Sequence, residues 1–213
     1  MILTLSNRAL LASVILGGAL FSNPKTVLGA IRYSILGGTD LATYQISNSG
    51  SSVNSRSGLG WTAGGRLGFT LSPTFEFEPG LFYQARSTER LGITQRIPYL
   101  EIPIRLQFHL GSHFYAGLAA VFDKVVGDVQ LSAPGISTLR LSSGDFGIRS
   151  SDIGFQVSLG AKLPIRAQSR FLLEASYGAG LQNQFLIAAA YPDTSFRWRQ
   201  VILLTGVQFG SFP

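Results

Sequence analysis

Apolar and polar residues alternate along most of this chain, which is the pattern of a β-strand with two different faces. The clearest segment covers residues 59–72, where Leu59, Trp61 and Leu67 share one face and Thr62 and Arg66 share the other. Similar segments cover residues 75–86, 97–110, 113–123, 152–163 and 170–182, with weaker ones at 31–41 and 196–209. The sequence therefore predicts eight strands, most of them with one apolar face and one polar face.

Charged residues are confined to one face of the six clearer segments. The apolar face carries none, whereas the other face carries both signs: Arg66, Glu76, Glu78, Arg86, Glu101, Arg105, Asp123, Asp152, Lys162, Arg170 and Glu174. A charge on the lipid face of a membrane barrel costs about 2–4 kcal/mol for Arg or Lys at mid-bilayer. Charges of opposite sign inside a narrow barrel can pair with one another. The pattern predicts an all-β fold, an eight-stranded antiparallel up-and-down transmembrane β-barrel with a lumen charge network.

A soluble barrel or sandwich is the alternative, with the apolar face inside and the charges in water. Against it stand the secretion signal described below, the low charged fraction of 13% and many glycines on the polar face, where a crowded interior needs small residues. No apolar run after the N-terminus approaches the ~20 residues of a membrane helix.

The first 30 residues have the features of a secretory signal peptide. Arg8 precedes an apolar run at 9–20 that is too short to span a bilayer, and small residues follow. Cleavage after Ala19 and cleavage after Ala30 both fit, so the prediction is a signal peptide at 1–30 and a barrel at 31–213. The alternative is a retained N-terminal anchor or core helix. The absence of cysteine excludes a disulfide framework and a lipoprotein acylation site.

Connection lengths and aromatic positions agree with an outer-membrane barrel. Short turns are predicted near residues 72–74, 111–112 and 165–169, and longer loops at 44–58, 87–96, 124–150 and 183–195. Aromatic residues gather near both strand ends, as the two interfacial girdles require. The outer girdle is predicted from Trp61, Tyr83, Tyr99 and Trp198, and the inner one from Phe69, Phe75, Phe108, Phe114, Phe171 and Phe209.

The fourth segment contains the sequence Tyr-Leu-Glu-Ile-Pro-Ile at 99–104. It resembles the corresponding strand of the PorT-like outer-membrane β-barrel domain family, and residues 72–83, 152–161 and 174–181 resemble further parts of that domain in order. The resemblance covers roughly residues 31–209 and implies a small barrel in the outer membrane of a diderm bacterium. It departs at residues 210–213, which follow the position where the family tends to end.

The sequence offers little chemistry. His109 and His113 lie at a predicted short turn beside Ser112, and adjacency in a turn is not the geometry of a catalytic triad. Glu76 and Glu78 share a strand face, where pairing with Arg66, Arg86 and Arg105 is favoured over acid–base catalysis. The prediction is a protein that is not an enzyme, with no cofactor and no metal site.

Three classes of function remain. The first is a structural or binding role in the cell envelope without an open pore, because the interior of eight strands is only wide enough for side chains. Its expected partners are outer-membrane lipid and lipopolysaccharide, together with other envelope proteins at the outer loops. Basic residues for lipid phosphates are Arg56, Arg86, Arg90, Arg96, Arg140, Arg149, Arg197 and Arg199. The alternatives are an accessory role in secretion or surface-protein export and, last, a lipid-acting enzyme. The net charge of +6 is dispersed, which argues against nucleic acid.

Overall fold

The computed structural model describes residues 31–48, 51–90, 92–145, 147–184 and 194–210. The predicted signal peptide, most of the 183–195 loop and residues 211–213 lie outside this range. The strands are β1 (Ile31–Asn48), β2 (Ser51–Asn54), β3 (Arg56–Thr70), β4 (Phe75–Arg90), β5 (Ile93–Leu110), β6 (Phe114–Val125), β7 (Val129–Ala133), β8 (Ile136–Leu141), β9 (Ser151–Arg166), β10 (Ser169–Gly180) and β11 (Thr194–Gly210). Within the described residues, no helix is long and apolar enough to cross a membrane.

The sheet is antiparallel and closes on itself. Eight strands pair in the order β1, β3, β4, β5, β6, β9, β10 and β11, and β11 pairs back with β1. The ring leaves no unpaired edge along these strands, which removes the main hazard of an open sheet. The prediction of an all-β antiparallel fold is confirmed.

The two ends of the ring differ. At one end β3–β4, β5–β6 and β9–β10 are joined by the short turns at 71–74, 111–113 and 167–168, and we call this the turn end. The opposite end carries the longer connections and is called the loop end. Three of the predicted loops are wrong, because strands continue through them. β1, β2 and β3 occupy most of 44–58, β4 and β5 extend across most of 87–96, and the 124–150 connection contains the hairpin β7–β8.

The outer surface of the ring is apolar. Side chains such as Ile35, Leu118, Leu159 and Leu203 are more than half exposed, while the residues between them in sequence are buried. The charged face therefore points inward. The alternative arrangement, with the apolar face inside and the charges outside, is contradicted by the structure. The period of two places neighbouring side chains on opposite faces, so one local pattern fixes both surfaces.

The interior is lined unevenly. Leu36, Ile202 and Leu204 of β1 and β11 pack with Phe82, Tyr115 and Leu172 in a buried apolar cluster. Most of the buried charges lie on β4, β5, β6 and β9, facing this cluster. Inward-facing glycines make room for large side chains. At Gly160 an added Cβ would lie 2.3 Å from the Tyr115 ring, and at Gly180 it would lie 2.6 Å from Trp198 Nε1.

Candidate functional site: the charged interior

The candidate site is the set of charged side chains inside the ring, which falls into two groups along the axis. The turn half contains Arg32, Arg66, Glu76, Glu78, Arg105, Lys162 and Glu174. The loop half contains Asp40, Arg86, Glu101, Asp123 and Asp152. All twelve are buried. They reach the same space because each lies at an inward position of its strand.

Glu174 of β10 is the centre of the turn half. Arg66 donates two parallel hydrogen bonds to its carboxylate, each of 2.8 Å, and Arg105 donates a further one. The Tyr115 hydroxyl donates to the same carboxylate at 2.8 Å. Bidentate arginine–carboxylate pairing fixes both distance and orientation, so this group ties β3, β5, β6 and β10 together across the interior.

Glu76 and Glu78 accept the remaining cations of the turn half. Lys162 Nζ lies 2.9 Å from Glu76 Oε2 and 3.6 Å from Glu78 Oε1. Arg32 Nη1 lies 3.2 Å from Glu76 Oε2, and Arg105 binds Glu78 directly. The two carboxylates therefore lie together in ion pairs with Arg105 and Lys162. The predicted pairing with Arg66 and Arg86 is wrong, because these arginines bind Glu174 and the pair Glu101 and Asp123, respectively.

Arg86 is the only buried cation of the loop half among the described residues. Its Nη2 lies 3.0 Å from Glu101 Oε2 and 2.9 Å from Asp123 Oδ2, and its Nε donates to Gln84. The guanidinium also stacks on two rings, 4.1 Å from the Trp198 ring centroid and 4.4 Å from that of Tyr99. Cation–π contacts of this kind strengthen when water is excluded.

An apolar cap covers the loop half. It consists of Tyr44, Ile97, Tyr99, Val125, Val129, Ile148 and Trp198. Val129 and Ile148 belong to the 126–150 connection, which is held to the ring by hydrogen bonds from Val125 N to Ser150 O and from Arg149 N to Gln184 O, both 2.8 Å. The connection therefore folds over the mouth of the ring and excludes water from Arg86.

The prediction for the outer aromatic girdle is half right. Trp61 and Tyr83 are exposed near the loop end, with ring centroids 5.2 Å apart, and Phe75 and Phe108 are exposed near the turn end. Tyr99 and Trp198 were predicted for the outer girdle, but they are buried inside. Their inward register is the physical reason, because Trp198 fills the space over Gly154, Gly178 and Gly180 and its indole N–H donates to Asp152.

Other sequence-predicted residues end in different surroundings. Arg170 occupies an inward position of β10 and is half-buried at the turn end. Arg86, predicted as an outer basic residue for lipid phosphates, is buried in the interior and unavailable to them. His113 contacts Ser112 at 2.7 Å on the exposed turn, while His109 Nε2 lies 3.2 Å from Glu76.

The predicted charge network did not include Arg32 and Asp40 of β1. Both are buried at inward positions. The signal was weakened because Leu36, between them on the same face, is apolar and joins the internal apolar cluster. Every second residue of β1 faces the same side of the strand whatever its polarity, so assigning faces by position alone would have placed both charges inside.

No family model matches the chain, and no curated protein sequence matches it. The predicted PorT-like resemblance is therefore not confirmed. Among solved structures the chain is similar to Neisserial surface protein A, at 14% identity and a TM-score of 0.46, covering 85% of this chain and 98% of that one. It is also similar to the outer membrane protein OprG from Pseudomonas aeruginosa, at 14% identity and a TM-score of 0.46, covering 88% and 98%. A third similar structure is the outer membrane protein AlkL in lipid bilayers, at 12% identity and a TM-score of 0.44, covering 86% and 90%.

Proposed function

We propose that this chain is an eight-stranded transmembrane β-barrel of the bacterial outer membrane, with a closed interior and a structural or binding role in the envelope. The observation that carries the proposal is the inversion of its two surfaces. Apolar side chains cover the outside of the ring, and twelve charged ones are buried within it. In water this arrangement exposes the apolar face to solvent and desolvates the charges. In a bilayer the apolar face contacts acyl chains, and the charges stay inside the ring away from lipid.

Strand length supports the membrane location. The ring strands are 12 to 18 residues long, and a transmembrane strand needs about 9–11. Exposed charges lie near the strand ends, with Lys124, Arg197 and Arg199 at the loop end and Arg166 at the turn end. The apolar band between them is the surface that would contact acyl chains.

The membrane location is tested by refolding the full chain into detergent and into phospholipid vesicles. We expect a folded species that migrates differently on a gel before and after boiling, and that resists protease once it is in vesicles. A mature chain that stays monomeric and folded in detergent-free buffer would contradict the proposal. In planar bilayers the folded barrel should give no large stable conductance, because side chains fill the interior.

The binding role that we propose is recognition of anionic lipid, in particular lipopolysaccharide phosphates, at the rim of the loop end. Exposed basic side chains lie around this rim: Arg56, Arg96, Lys124, Arg140, Arg149, Arg197 and Arg199. Arg197 and Arg199 are two residues apart on β11, so both point outward on the same face. Guanidinium groups form charge-assisted hydrogen bonds with phosphate.

The test replaces Lys124, Arg197 and Arg199 together by Gln and measures lipopolysaccharide binding by the folded barrel. We expect affinity to fall about tenfold, the effect of losing about 1.4 kcal/mol. Arg166→Gln, which removes an exposed cation at the turn end, is the matched control and should leave affinity unchanged. Equal affinity of the triple variant and the native chain would refute this role while leaving the membrane location intact.

A further inference from the structure

The two halves of the interior differ in charge. When all groups are ionised, the turn half has four cations, Arg32, Arg66, Arg105 and Lys162, against Glu76, Glu78 and Glu174. The loop half has one cation, Arg86, against Asp40, Glu101, Asp123 and Asp152. Uncompensated charge in a desolvated interior costs several kcal/mol per ion. The loop half therefore requires positive charge or hydrogen-bond donors beyond Arg86.

Hydrogen bonds account for three of the four carboxylates. Glu101 and Asp123 share Arg86, as described above. Asp152 accepts from the Trp198 indole N–H and from the backbone N–H groups of Ile153 and Gln182. Only Asp40 is left without a donor on another residue among those the structure describes.

Asp40 is fully buried, and neither of its carboxylate oxygens has a hydrogen-bond partner on another described residue. The carboxylate lies against Gly60 of β3, where an added Cβ would be 2.0 Å from its Oδ1. Arg86 interacts electrostatically with Asp40, but its hydrogen bonds go to Gln84, Glu101 and Asp123.

The neighbours of Asp40 on both adjacent strands also present free oxygen atoms. Thr62, on the same face of β3 two residues from Gly60, has no partner for its Oγ1 in the described part of the chain. The same holds for Oε1 of Gln200, which pairs with Ala42 on the β11 side. Both side chains are buried. The register thus places a carboxylate, a hydroxyl and an amide on the inward face of three adjacent strands, and their oxygens are the ligands that hard cations take.

We propose that the loop half of the interior binds one monovalent metal cation, of the sodium or potassium class, held by Asp40 with Thr62 and Gln200. Such an ion places positive charge beside the carboxylate that lacks a donor. A divalent ion fits less well, because the three side chains named supply only one negative charge. The inference concerns the interior alone and is independent of the envelope role proposed above.

The test follows thermal unfolding of the refolded full chain in detergent micelles at constant ionic strength. Sodium chloride and potassium chloride are each compared with N-methylglucamine chloride, whose cation is too large for the site. We expect at least one metal salt to raise the midpoint by about 3 °C, because a ligand that binds only the folded state stabilises it. Asp40→Asn should remove this dependence, whereas Glu89→Gln, which changes a carboxylate at the loop end outside the interior, should retain it.

Equal midpoints of the native chain in all three salts would overturn the proposal, and so would a salt dependence that persists in Asp40→Asn. If Asp40→Asn does not fold, the sodium-23 resonance of a solution of the native protein supplies the decision. If the protein broadens the sodium-23 resonance and added potassium reverses the broadening, the site is supported. If the native protein causes no broadening, or if a Thr62→Val variant broadens the resonance as much as the native protein does, the site is contradicted.

Discussion

The turn half and the loop half of the interior exclude water by different means. In the turn half, cations and carboxylates interlock, and Glu174 alone receives hydrogen bonds from Arg66, Arg105 and Tyr115. In the loop half, one guanidinium lies between two aromatic rings beneath a cap of apolar side chains. The first half is held by paired charge and the second by packing around a single cation, so the same substitution should have different consequences in each.

Glu174→Leu should have the largest effect. It leaves Arg66 and Arg105 buried without their shared carboxylate, and breaking a buried ion pair from one side costs about 3–5 kcal/mol. The measurement is the free energy of unfolding in urea for protein folded into vesicles. The matched control is Glu89→Leu, since Glu89 forms an exposed pair with Arg56 at 4.0 Å that contributes at most about 1 kcal/mol. Equal losses from the two variants would contradict the network of the turn half.

Arg86→Met should rank second. It leaves Glu101 and Asp123 without their common donor, and it removes the cation that contacts the Tyr99 and Trp198 rings. We expect the free energy of unfolding to fall by about 3 kcal/mol. The same urea titration applies. Arg86→Lys retains the charge but loses the planar contacts, so its loss should be smaller. A lysine variant no more stable than the methionine variant would show that packing, and not charge, dominates here.

Gly160→Ala should lower the free energy of unfolding by about 1–3 kcal/mol. The new methyl group overlaps the Tyr115 ring and displaces its hydroxyl, which donates a hydrogen bond to Glu174. Gly37→Ala is the control, since the nearest atom to its added Cβ is 3.8 Å away. Thermal unfolding of both variants in one detergent gives the comparison. A loss at Gly37 as large as that at Gly160 would mean that overlap with the Tyr115 ring is not the cause of the loss at Gly160.

Ile148→Ala should have the smallest effect on ion passage. It opens part of the cap, yet the interlocked side chains of the turn half still fill the ring. Planar-bilayer recordings of this variant should therefore match those of the native barrel, with no large conductance. Stable channels in this variant alone would show that the cap is the principal barrier.

Much of the fold could be read from the sequence, because strand faces are set by a local period of two. The segments at 59–72 and 152–163 have the predicted orientation, with Arg66, Asp152 and Lys162 inside. The prediction of strand faces and loops failed where tertiary contacts override the polarity of single residues. Leu36 is apolar and inward, and Trp198 is a girdle-type residue that turns inward. Residues 87–90 and 93–96 are mostly polar but continue β4 and β5.

The sequence by itself determined which face most charged residues occupy, since that depends only on position along a strand. The tertiary structure decided which charges meet, and it decided that Arg86 would have two carboxylates while Asp40 would have no donor among the residues described. Arg66 and Glu174 are 108 residues apart in the chain, and only the closure and register of the ring bring them to 2.8 Å. Pairing across a barrel depends on stagger between distant strands, which no local pattern contains.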